Sequence, residues 1–187
     1  LVSFLLVLFE HEKDKVQKAG YTYVVMTHLG TVFLIIAFCL LSQYADSFYF
    51  RDFSNLIVKL PPISATAIFL GLLIGFGTKA GLVPLQIWLP KAHPAAPAPI
   101  SALMSGVMVK TAVYGFIRIG FGSLMPGPYW WGLVVLGVGL LSAFLGAAYS
   151  LMQSDYKKLL AYSTIENIGL IFAGLGLSMV TGSLGLK

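Results

Sequence analysis

Charge is scarce in this chain. Asp, Glu, Lys and Arg make up 10% of its 187 residues, against 58% that are apolar, whereas a soluble domain carries about 25% charged residues. An ordinary water-facing surface cannot be built from that composition. Cysteine is nearly absent: Cys39 stands alone inside the apolar run 32–41. A disulfide framework, a CxxC motif and a Cys/His metal spacing are therefore excluded, and with them iron–sulfur or zinc chemistry. The excess of base over acid is small, 12 Lys and Arg against 7 Asp and Glu, and is spread through loops. With no basic helix or aromatic-interleaved patch, nucleic acid is not an expected partner. No flavin or nucleotide motif occurs, so neither a cofactor nor electron transfer is expected of this chain.

What the chain has is apolar length. The stretch 20–42 forms a first complete span, long enough for a bilayer core that needs roughly 20 apolar residues. Further spans are expected at 61–89, 100–120, 130–152 and 159–180, with 1–9 reading as the last turns of a helix that starts upstream. The chain begins on Leu1 in the middle of an apolar run, without a charged n-region or cleavage site, and is expected to be a fragment. All of it falls in one transmembrane domain. The fold class is all-α, a polytopic helix bundle in the membrane, and the 20 Gly and 9 Pro fit that class, both being commoner in transmembrane than in soluble helices. The charged segment 10–18 is expected to be a loop, and 45–59 a connector whose Phe48, Tyr49, Phe50 and Phe53 suit the membrane interface. Loop lysines at 13, 15, 18, 91, 157 and 158 fall on one side and Arg51, Lys59, Arg118 and Lys187 on the other, which places the first set in the cytoplasm.

The span 61–89 carries Gly71, Gly75, Gly77, Gly81 and Pro84, and is expected to be a broken helix around Gly81 and Pro84. Proline removes one backbone hydrogen bond and clashes with the carbonyl four residues back. In lipid, groups freed that way survive only where protein or a wet cavity satisfies them. Four ionisable residues lie deep inside the spans, His28, Lys79, Lys110 and Glu166. A charge at the bilayer centre costs about 2.5–3.5 kcal/mol on insertion scales, which makes such residues candidates for function. At 1.5 Å per residue, Glu166 is roughly 11 Å and Lys110 roughly 15 Å into their helices, near the midplane. Desolvation brings lysines and carboxylates into a range where both exchange protons near neutral pH, so a line of them can relay protons. The plainer readings are a structural pairing of a lysine with Glu166, a core histidine satisfied by a neighbouring hydroxyl or carbonyl, and a packing role for Ser101, Ala102, Ser105 and Gly106.

Two runs, GTKAGLVPLQIWLPKAHP at 77–94 and PISALMSGVMVKTAVYG at 99–115, closely resemble the proton-antiporter-like subunits of respiratory complex I and its relatives. Within that superfamily FEHEK at 9–13, MTHLG at 26–30 and YSTIENIG at 162–169 look most like the large membrane subunit of group 4 hydrogenases, the hydrogenase-4 and formate hydrogenlyase type. The resemblance implies a fold of about fourteen helices with two inverted five-helix repeats, of which this fragment would hold about six. It implies that Lys79 is the lysine of the broken seventh helix and Lys110 the relay residue of the eighth. The fifth-helix glutamate would precede Leu1 and the twelfth-helix lysine would follow Lys187, so this stretch alone is not expected to translocate protons. Lys91, where complex I members usually have an acidic residue, and Glu166, where they lack a carboxylate, favour the hydrogenase branch; Glu166 would be the inverted-repeat mate of the absent glutamate. The implied function is proton translocation as a membrane subunit of a redox-driven complex, in the cytoplasmic membrane of a bacterium or archaeon. Implied partners are the other membrane and soluble subunits, the bilayer, and protons or sodium. A stand-alone cation/proton antiporter subunit and a passive scaffold for a soluble hydrogenase arm are the alternatives.

Overall fold

The computed structural model describes residues 2–45, 49, 53, 58 and 60–185. Seven helices follow one another, and no strand occurs among the described residues: α1 (Val2–Val7), α2 (Asp14–Ala45), α3 (Pro62–Ala80), α4 (Leu89–Ala95), α5 (Ala98–Leu124), α6 (Tyr129–Leu151) and α7 (Tyr156–Ser183). Five segments are long and apolar enough to cross a membrane, the second of them being the interrupted run Pro62–Ala95 that contains α3 and α4. α5 is a single rod with two π-helical turns, Met104–Met108 and Ile117–Phe121.

α3 is the hub, and small residues set its neighbours. A Cβ at Gly75 would stand 2.5 Å from Leu34 and 2.9 Å from the carbonyl of Gly30 on α2, so α2 and α3 cross almost backbone to backbone. On another side Gly115 of α5 receives the ring of Phe76. On a third, Phe69 stacks on Trp131 of α6 with centroids 4.4 Å apart and planes 2° from parallel. Such a pair adds about 0.5–1.5 kcal/mol beyond its area. Between apolar helices in lipid, close packing of this kind replaces the hydrophobic drive that water supplies.

α6 and α7 form an antiparallel hairpin along a seam of glycines. Gly132, Gly139 and Gly146 recur every seven residues on α6, and Gly169 and Gly176 at the same interval on α7. A Cβ at any of them would collide with backbone atoms of the other helix. α7 is capped by Asp155, whose carboxylate accepts the backbone N–H of Lys157 at 2.9 Å.

Two features differ from the expectation. The helix of the first span already begins at Asp14, inside the charged stretch read as a loop; α2 runs out of the apolar zone into water, where Lys15 and Lys18 are exposed. Hydropathy marks the lipid-facing length of a helix and not its ends. The second span is interrupted: its first helix stops at Ala80, next to Gly81. Phe53 is not an interfacial ring: it is 1% exposed and lies 6.5 Å from Phe38 of α2, while Tyr49 is exposed. Phe48 and Phe50 fall outside the described residues.

Candidate functional site

The interruption after α3 is built from glycine geometry and three side-chain or backbone substitutions for helix bonds. Gly81 takes φ 82°, a left-handed conformation that favours glycine. Its N–H and that of Leu82 both bond to the carbonyl of Gly77, at 2.9 Å each. In a continued helix the N–H of Leu82 would serve Thr78 and that of Val83 would serve Lys79. Here the Thr78 carbonyl takes the indole N–H of Trp88 instead, at 2.8 Å. The Val83 N–H goes to the hydroxyl of Ser142 on α6, at 2.9 Å, and that hydroxyl donates onward to the Val138 carbonyl at 2.7 Å. Trp88, Ser142 and Thr78 are all fully buried. The unwound stretch ends in the 3-10 turn Leu85–Trp88, which leads into α4. The freed polar groups are thus satisfied by protein at the heart of the bundle, and the Lys79 carbonyl is left without its helical donor.

Lys79 sits on the last turn of α3, half-buried, and its side chain lines a cavity of about 170 Å³ against α2 and α1. The opposing wall is polar: Tyr23, Thr27, His28 and Thr31 of α2, with Ser3 of α1 bonded to the Tyr23 hydroxyl at 2.6 Å. A cavity of that size with several polar partners has room for water. The imidazole of His28 donates through Nδ1 to the Val24 carbonyl at 2.8 Å, which leaves Nε2 of a neutral ring as an acceptor. The tight α2–α3 crossing at Gly30 and Gly75 is what brings these two ionisable residues to one cavity.

Lys110 and Glu166 do not line it. Lys110 is exposed on α5, and its ammonium donates to the carbonyl of Ser105, five residues back in a π-helical turn, at 3.1 Å. Glu166 is half-buried on α7, with its backbone and Cβ against Gly146 of the α6 seam. Among the described residues the one salt bridge joins Lys13 to Glu10, so a structural pairing of Lys79 or Lys110 with Glu166 does not occur there. No group of His, Cys, Asp and Glu among the described residues could hold a metal ion.

The sequence reading passed over His93. It is 1% exposed on α4; Nδ1 lies 2.8 Å from the hydroxyl of Ser101, and the buried Nε2 has no hydrogen-bond partner. Ser101, read as a packing residue, is therefore the partner of an imidazole. Gly106, read likewise, has nothing within 4 Å of where its Cβ would be. The signal available in the sequence was a histidine between two prolines, Pro90 and Pro94, with a serine two helical turns on.

A broken, buried membrane helix carrying a lysine beside a polar cavity defines a type of site, and comparison with known proteins puts the chain in a lineage. The sequence profile of the family described as NADH:quinone oxidoreductase/Mrp antiporter, transmembrane, matches residues 1–186. The chain belongs to that family. It is a multi-pass integral membrane protein. It is 44% identical to hydrogenase-4 component B of Escherichia coli over 186 residues, covering 98% of this chain and 27% of the relative. It is 40% identical to formate hydrogenlyase subunit 3 of the same organism over 167 residues, 88% of this chain and 26% of that one. NAD(P)H-quinone oxidoreductase chain 4-2 of Synechocystis is 33% identical over 163 residues, 87% of this chain and 29% of its own length. The chain thus spans under a third of the length of these curated relatives.

Proposed function

We propose that this chain is the proton-translocating core of an antiporter-like membrane subunit in a redox-driven complex of the hydrogenase type, with Lys79 as a proton carrier. The observation that carries the reading is the shared cavity of Lys79 and His28 beside the interrupted helix. Lysine is suited to such a role because its ammonium is a compact charge whose proton affinity responds to desolvation and to nearby charge. The broken helix adds a carbonyl without its helical donor and backbone that is not locked into a repeating ladder. His28 and the cavity hydroxyls supply acceptors through which a proton can pass to and from the lysine. Lys110 and Glu166, on α5 and α7, are the further stations of the path, reached as the charge on one station perturbs the next.

Identity of 44% and 40% to a hydrogenase-4 component and a formate hydrogenlyase subunit supports the hydrogenase type over the quinone oxidoreductase type, whose relative here is 33% identical. The partners on this reading are the membrane and soluble subunits of such a complex, with the redox chemistry lodged in those partners. The family description also names an antiporter, which supports a second reading, cation/proton exchange that needs no redox partner.

The test is proton movement in membrane vesicles containing the complete complex, with redox turnover recorded in parallel, for wild type, Lys79→Ala and Lys110→Ala. Loss of translocation with intact assembly is expected for both variants. Unchanged translocation in both makes the lysines structural and the chain a scaffold; translocation that requires sodium and persists without redox turnover favours the exchanger.

A further inference from the structure

The lysines that the sequence assigns to one side of the membrane gather around a single cleft at one end of the bundle. Its volume is about 560 Å³, and Lys13, Lys15, Lys18, Lys91 and Lys158 all line it. They come from three separate places in the chain: the start of α2, α4, and the first turn of α7. Two carboxylates oppose them, Glu10 and Asp155. Both are already engaged: Glu10 pairs with Lys13, which holds its carboxyl below the ordinary value, and Asp155 caps α7. The sixth lysine, Lys157, is turned inward and donates to the carbonyl of Ala96 at 2.8 Å. With five lysines against two occupied carboxylates, the cleft has an excess of three positive charges and ammonium groups with no acceptor of their own.

The floor of the same cleft is apolar, made by Val16, Ala19, Pro90, Pro94 and Ala95. Charged rim and apolar floor together suit an amphiphile better than a small soluble anion. The depth of the cleft also fits: Tyr156 stands on the first turn of α7 and Tyr21 about two turns into α2, just past the lysines at its start, and each is 71% exposed. Exposed tyrosines at helix ends mark the level of the headgroups. By the positive-inside rule this end faces the cytoplasm, where anionic lipids meet basic segments at about 1 kcal/mol per lysine.

We propose that this cleft binds the phosphate headgroup of an anionic phospholipid from the cytoplasmic leaflet, with its glycerol and upper acyl carbons over the apolar floor. The lipid bridges α2, α4 and α7, so it fastens the segment that follows the helix break to the two helices beside it.

The test uses the full-length protein in its complex, purified in mild detergent and offered phosphatidylglycerol or phosphatidylcholine, with retained lipid counted by native mass spectrometry. Selective retention of phosphatidylglycerol is expected, falling about fivefold for each lysine removed in Lys91→Gln and Lys158→Gln. Lys91→Arg and Lys158→Arg, which keep the charge, should retain it within twofold, so a folding defect in the glutamine variants is told apart from a lost contact. Equal retention of the two lipids overturns the proposal, as does undiminished phosphatidylglycerol binding in the double glutamine variant. Complete displacement by millimolar inorganic phosphate also overturns it, making the cleft a site for a soluble anion.

Discussion

The hydroxyl of Ser142, in the middle of α6, accepts the backbone N–H of Val83 at 2.9 Å across the bundle. One side chain on one helix thus completes the hydrogen bonding of a break in another, 59 residues away. Ser142→Ala leaves that buried N–H without a partner, at a cost of about 1–3 kcal/mol. Denaturant titration of the purified full-length protein should show the loss; an unshifted midpoint would mean that the break is satisfied some other way.

Trp88→Phe makes a related change with a different signature. The ring that meets Tyr23 edge-on at 5.1 Å is largely kept, while the donor to the Thr78 carbonyl is lost. Stability should drop by about 1–3 kcal/mol. Amide hydrogen exchange should rise selectively in residues 78–88; a uniform rise across all helices would contradict a local role for the indole.

Lys79→Arg separates charge from proton transfer. Arginine keeps a cation in the cavity but does not release its proton at accessible pH. Vesicles carrying this variant should assemble normally and yet translocate protons no better than Lys79→Ala. Full translocation by the arginine variant would remove Lys79 as a carrier and leave it a fixed charge.

The glycines give a paired prediction. Gly139→Val drives a side chain into the backbone of Ala173 and Phe172, so the α6–α7 hairpin should open and the yield of assembled protein collapse. Gly137→Ala and Gly174→Ala, at helix positions with nothing within 4 Å, should raise stability by about 0.5–1 kcal/mol. Thermal unfolding in detergent distinguishes them, and similar midpoints for Gly139→Val and Gly137→Ala would disprove the seam.

Much of the fold was legible because the bilayer imposes a length on every apolar run, and runs near 30, 70, 110, 140 and 170 each had it. Helix ends were less legible: Asp14–Lys18 is helical beyond the lipid zone, where hydropathy carries no signal. At the break, Gly81 and Pro84 were both legible as helix breakers, but which of them ends the helix was not: the chain leaves it at Gly81, because a positive φ is written in backbone geometry and many glycines do not adopt it. The ionisable residues could be listed from the sequence, but their grouping could not. Lys79 and His28 line one cavity because Gly30 and Gly75 allow two helices to touch, a relation between residues 45 apart. The His93–Ser101 bond was invisible for a similar reason, since a proline-rich segment reads as a turn and not as a short helix folded under the bundle.

The glycine seam has a mechanical meaning. Two helices in backbone contact, with no side chains between them to swap rotamers, have few ways to slide or roll against each other. Ser142 stands on that stiff pair and holds the unwound residues by one hydrogen bond. The chain therefore contains a stiff frame and, tied to it by that bond, the unwound residues next to the lysine. The surroundings of the lysine are thereby referred to a pair of helices to which it does not itself belong.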